Sequence, residues 1–170
     1  MSIKLIELVA LTGQHITLYE TLAEHLSREQ TALLEMDLEA LQQAVKAKET
    51  TALKIKLMVP AVADAIADAA EELGLPREPR PTLAEIGARA PAPYGTRLAR
   101  AGLALARLKR GIARHNEDNH SFVETAMEMI NGSIAVITGA VTAKPRQGYS
   151  AKGRQTRSPD CPPVRLSREV

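Results

Sequence analysis

Apolar positions recur at alternating steps of three and four along most of this chain. That spacing places side chains on one stripe of an α-helix. The longest case runs Leu98, Ala101, Leu105, Leu108, Ile112, Phe122, Ala126, Met129, Val136, with His115, Asn119 and Ser133 as polar breaks on the same stripe. At ~1.5 Å per residue such a helix is about 58 Å long. Its stripe needs partner helices of similar length, and the rest of the chain supplies the patterns for them.

The first pattern covers residues 3–35. Leu5, Leu8, Thr12, His15, Tyr19, Leu22, Leu26, Glu29 and Leu33 keep the alternation, and Ser2 is a candidate N-cap. A second stripe runs Leu38, Leu41, Val45, Lys48, Ala52, Ile55, Val59, Val62, Ile66, Ala69, Leu73. It is out of phase with the first by two residues, about 200° on a helix. A break at Met36–Asp37, with Asp37 capping a helix over 38–73, resolves the conflict and favours an antiparallel hairpin. Pro60 lies inside the second helix and is expected to kink it.

Residues 74–96 hold five of the ten prolines and read as a crossover that returns the chain along the bundle. Within it, Thr82 can cap a short helix over 83–89. The third long helix is expected over 94–142, with Asn131–Gly132 as a weak point. Beyond it, Pro, Ser and Lys/Arg dominate. The expected architecture is therefore all-α. An elongated antiparallel three-helix bundle of coiled-coil type occupies residues 1–143, and a basic disordered tail occupies 144–170.

Composition supports this. Aromatics are scarce, with three Tyr, one Phe and no Trp, while 45% of residues are hydrophobic. Leu and Ala thus build the core, which suits long packed helices and argues against a sandwich or an aromatic ligand pocket. Residues 143–170 carry seven Lys/Arg against two Asp/Glu, a net of +5, which leaves −3 on the body. A single cysteine, Cys161, makes no internal disulfide, so a reducing compartment is expected. The N-terminal pattern lacks a secretory signal, and no apolar run reaches the ~20 residues that span a bilayer. The expected location is cytoplasmic, without membrane insertion.

Catalytic and cofactor chemistry finds little support. Glu117 to His120 has the Glu-x-x-His spacing of di-iron bundles, but those sites need a second Glu-x-x-His as well as two more glutamates, and the chain has no second copy. His115 and Asn119 read instead as a polar layer in the helical seam that fixes register, with Lys48 and Glu29 as similar features. There is no Gly-rich phosphate loop or nucleophile elbow. The expectation is no enzyme, no metal and no cofactor. The basic tail could neutralise phosphates, yet Tyr149 is its one aromatic, which argues against nucleic acid. Tyr149, with Lys152 and Arg154, reads as an interface anchor.

The order of features carries a resemblance. A Leu-rich helix ends in Leu33-Leu34-Glu35-Met36-Asp37-Leu38-Glu39-Ala40-Leu41, and the seam lysine Lys48 follows. The third helix carries Leu105-x-x-Leu108 and then Asn116 and Asn119. The sequence Tyr149-Ser-Ala-Lys-Gly153-Arg154 closes the pattern. Over residues 3–154 these features resemble the FlgN family of flagellar type III export chaperones. The resemblance implies a cytoplasmic, ATP-independent chaperone. Its clients would be hook-associated proteins, whose terminal helical segments it keeps from early association and delivers to the export apparatus.

The resemblance also places client binding near the C-terminal end of the chain. There, Met127, Met129, Ile130, Ile134, Ile137 and Val141 offer an adaptable apolar surface for an amphipathic helix. The stretch also outruns the length that the first helix covers. Tyr149, Lys152 and Arg154 become the candidate export-gate contact. A structural coiled-coil adaptor is the alternative, distinguished by a closed bundle with no client-sized apolar surface. Nucleic-acid binding through the tail is a second alternative.

Overall fold

The computed structural model describes residues 2–76 and 78–139, together with the backbone of 148–149 and 155–156. It divides into two units, Met1–Thr125 and Ala126–Val170. Apart from one two-residue strand pair, all regular structure among the described residues is helical.

In the first unit, α1 (Ile3–Glu35) starts where the Ser2 hydroxyl accepts the Leu5 N–H at 3.1 Å. It stops at Met36, which adopts a left-handed conformation (φ 55°). The Asp37 N–H then donates back to the Ala32 carbonyl at 3.0 Å, closing the last turn. Asp37 at once caps α2 (Leu38–Glu72), its carboxylate accepting the Ala40 N–H at 3.0 Å. Two residues thus reverse the chain. Glu29 pairs with Lys48 near the turn, while Leu5 and Leu8 join Ala65 and Ala69 in one core cluster at the far end. Partners that move in opposite directions along the two sequences define an antiparallel hairpin. The helix runs on through Pro60, which is exposed.

The buried face of α2 differs from the expected stripe. Ala52 and Val59 are exposed, and the buried line passes through Ala44, Thr51, Ile55, Val62, Ala65 and Ala69. Four of these six are Ala or Thr, and Ala65 and Ala69 pack with Leu5 and Leu8 of α1.

Residues 74–93 also differ from expectation. They form a corner at one end of the hairpin rather than a crossover along it. Thr82 and Glu85 make a reciprocal capping box for α3 (Leu83–Arg89). Ile86, fully buried, joins Leu5, Leu8, Ala65, Ala69 and Leu98 in the core cluster. Helix α4 (Tyr94–Ile137) therefore starts at the end where α1 starts and α2 finishes. Its first turn lies against α3 so closely that a Cβ on Gly95 would meet the Gly87 carbonyl oxygen at 2.5 Å and that of Ala90 at 2.6 Å. From there Leu98 lies with Leu5 and Leu8, Lys109 beside Tyr19, and Asn119 beside Leu26. Helix α4 thus runs in the direction of α1 and opposite to α2. The connection has no distance to return because α2 has already made the return.

In the second unit α4 continues through Asn131–Gly132 and ends at Ile137, five residues before the expected end. Gly139 takes a left-handed conformation (φ 65°), which halts helical propagation. Residues 140–142 lie outside the described residues. Most of the tail expected to be disordered also lies outside them. Within it, β1 (Gly148–Tyr149) and β2 (Gln155–Thr156) pair antiparallel, with Gly148 opposite Thr156 and Tyr149 opposite Gln155.

Candidate functional site

A buried polar node ties α4 to the hairpin within the first unit. The Lys48 ammonium donates to both oxygens of the Glu29 carboxylate, at 2.6 and 2.7 Å. The Asn119 amide donates to the Leu26 carbonyl at 3.1 Å and to Glu29 at 3.3 Å. The Leu26 carbonyl already lies inside α1, so only an aligned α4 presents Asn119 to it. Sliding α4 by one turn would strand the buried Asn119 amide at a cost of about 1–3 kcal/mol, while Glu29 would keep both bonds from Lys48. Asn116, Asn119, His120 and Val123 line a cleft of about 200 Å³ beside this node, with Glu29 and Lys48 opposite.

His115, expected to share this layer, is exposed. It lies about 40° around the helix from Asn119, on the flank rather than at the seam. The histidine that is buried is His15 of α1, whose two ring nitrogens have no hydrogen-bond partner. Burial, reinforced by the Lys109 charge, holds the imidazole below its ordinary pKa, so the ring is held neutral. Its ring lies 4.9 Å from that of Tyr19, and the Lys109 ammonium stands 5.4 Å from the Tyr19 ring centre. The polar position within an apolar stripe was the sequence signal for this burial. Glu117 and His120 are exposed, and His120 pairs with Glu124 at 3.2 Å. Among the described residues no group of three His, Cys, Asp or Glu side chains is placed to hold a metal.

The apolar candidates of the second unit are arranged differently. Met127, Ile130, Ile134 and Ile137 follow steps of three and four along α4, with Met129 and Val136 on the adjoining stripe. The five candidates Met127, Met129, Ile130, Ile134 and Ile137 are between 51 and 83% exposed. Gly132 leaves a gap in the second stripe, and Met129, Gly132, Ser133, Val136 and Ile137 line a shallow groove there. The Ser133 hydroxyl donates to the Met129 carbonyl at 2.8 Å, which satisfies it within the helix. The groove therefore presents methyl and thioether groups with little polar competition. Val141, Lys152 and Arg154 lie outside the described residues, and Tyr149 is described only as backbone in β1.

The FlgN protein family model matches residues 1–157. The chain belongs to the FlgN family of flagellar export chaperones. The match covers both units up to β2, so the hairpin, the polar node and the exposed end of α4 are all parts of a FlgN chain. No curated protein and no solved structure matches the chain. Among the described residues of this FlgN-family protein, no helix is long and apolar enough to cross a membrane.

Proposed function

We propose that this protein is a cytoplasmic chaperone that binds the C-terminal helical segments of hook-associated proteins, prevents their premature association and delivers them to the flagellar type III export apparatus. The observation that carries the reading is the exposed apolar face of α4 formed by Met127, Met129, Ile130, Ile134 and Ile137. An amphipathic client helix buries its own apolar stripe by lying along such a face. Met side chains adapt to more than one client shape, and the Gly132 gap accepts one bulky client residue. Val141 would extend the face by one further turn. The hairpin and the first part of α4 would form the rigid part of an elongated three-helix bundle over 1–143. The tail over 144–170 would carry Tyr149, Lys152 and Arg154 to the export gate. No step of this cycle needs a catalytic group or a cofactor.

The test is Ile134→Asp combined with Ile137→Asp. Fully burying one such side chain contributes about 1.5–3 kcal/mol. The pair should therefore lower client affinity by at least about a hundredfold. Helicity should be retained, because both residues are exposed in the free chain. Client capture unchanged by the two aspartates would place the binding face elsewhere. Tyr149→Ala should spare capture but reduce secretion of the clients in cells, and normal secretion would remove the gate assignment.

A further inference from the structure

The outward face of α4 in the first unit carries a second pattern, unrelated to the apolar end of the helix. Arg100, Leu103, Arg107, Arg110 and Arg114 follow steps of three, four, three and four. At 100° per residue all five fall within an arc of about 80°, and at ~1.5 Å per residue they span about 21 Å. All five are exposed, Leu103 by 74%. Among the described residues no ion pair reaches any of the four arginines, and their stripe holds no carboxylate until Glu117 and Asp118 at its end.

We propose that this arginine stripe is a peripheral docking face for an anionic lipid surface, with Leu103 as its single shallow apolar contact. Charge complementarity and the make-up of the stripe select this occupant. A partner helix would need apolar groups at most seam positions, whereas four of these five are arginine, and burying four ion pairs would cost more desolvation than one leucine offsets. A nucleic acid would satisfy the charges, but the stripe offers no aromatic platform on which bases could stack, and an exposed leucine gains nothing against phosphates. A planar layer of anionic headgroups lets each guanidinium bond phosphate while staying hydrated, and it takes Leu103 at the acyl boundary. The helix would lie along the surface without spanning it. The face uses no residue assigned above to client or gate.

The test is flotation of the full-length chain with vesicles of phosphatidylcholine alone and with vesicles containing about one-third phosphatidylglycerol. Binding is expected only to the anionic vesicles and should fall steeply with salt. Each basic side chain at such a surface contributes about fivefold in partitioning, so Arg107→Gln with Arg110→Gln should weaken binding about twenty-five-fold. Arg107→Glu with Arg110→Glu should weaken it further. Circular dichroism checks that the variants keep their helices, and the neutral pair decides the matter if the reversed pair does not fold. Lys152→Glu with Arg154→Glu should have the smaller effect. The proposal is overturned if the chain ignores anionic vesicles, or if the helix variants bind like the parent so that the tail is responsible. Arginine-dependent binding to duplex DNA without vesicle binding would overturn it in favour of a nucleic acid.

Discussion

Replacing Lys48 with alanine removes the only cation that pairs with Glu29 among the described residues. The two side chains are 22 and 10% exposed, and both carboxylate oxygens lie within 2.7 Å of the ammonium. After the substitution, the carboxylate keeps only the Asn119 amide at 3.3 Å. Breaking a fully buried pair costs about 3–5 kcal/mol. The cleft beside the node admits water, so the expected loss is smaller, about 2–3 kcal/mol. For a chain of this size, that corresponds to a fall in Tm of about 5–10 °C. The companion variant Glu29→Leu with Lys48→Met removes both charges at once. It should stay within about 1 kcal/mol of the parent, because desolvating the pair cancels most of its attraction. The assay is urea unfolding followed by circular dichroism for the parent and both variants. A cost below about 0.5 kcal/mol for Lys48→Ala, or a double variant less stable than Lys48→Ala, would show that the ion pair does not hold Glu29 in this way.

Three further outcomes follow from the same geometry. Gly95→Ala drives a methyl group into two backbone carbonyls that cannot turn aside, so it should cost about 3 kcal/mol in the same unfolding assay, and parent-like stability would contradict the close approach of α3 and α4. Gly13→Ala, with open space around its Cβ on an exposed helix face, should instead stabilise by about 0.5–1 kcal/mol. His15 is held below its ordinary pKa of about 6.5, so the unfolded chain takes up its proton first. Its contribution is complete above that value and is lost as the pH falls below it. Tm followed between neutral pH and about pH 5 should drop more steeply for the parent than for His15→Leu, and parallel curves would remove His15 as the cause.

The sequence announced elements better than it announced their neighbours. All nine positions of the first stripe, from Leu5 to Leu33, are buried or half-buried in α1. Ser2, Asp37 and Thr82 cap helices as their side-chain chemistry implied. These features are local, set by spacing and by groups three or four residues apart. The phase of α2 was read less well because the buried line includes Ala44, Thr51 and Ala65, weakly hydrophobic positions that a ranking by hydrophobicity passes over. The corner at 74–93 was read as a crossover because its prolines mark irregular chain without saying which way it leads. Asn119 was placed correctly in the seam and His115 was not, although one helical turn separates them, because the centre of a contact stripe depends on the partner.

The candidate site shows the same division. A Met- and Ile-rich end of α4 was legible as composition. Its exposure was expected because the stretch outruns α1; periodicity alone did not mark it, since the pattern that buries Leu98 and Leu105 continues into Phe122, Met129 and Val136, which are exposed. The arginine stripe was passed over because each arginine, taken alone, looks like ordinary solvated surface. It stands out only once the buried side of α4 is known and the unpaired face is thereby defined.

The exposed end of α4 is the proposed seat of a client helix. Isothermal titration of the full-length chain with C-terminal fragments of the organism's own hook-associated proteins tests it most directly. A saturable complex with at least one fragment is expected, at micromolar affinity or tighter, and Ile134→Asp with Ile137→Asp should abolish it while the helical signal persists. No binding to any fragment by a fully helical chain would contradict that placement.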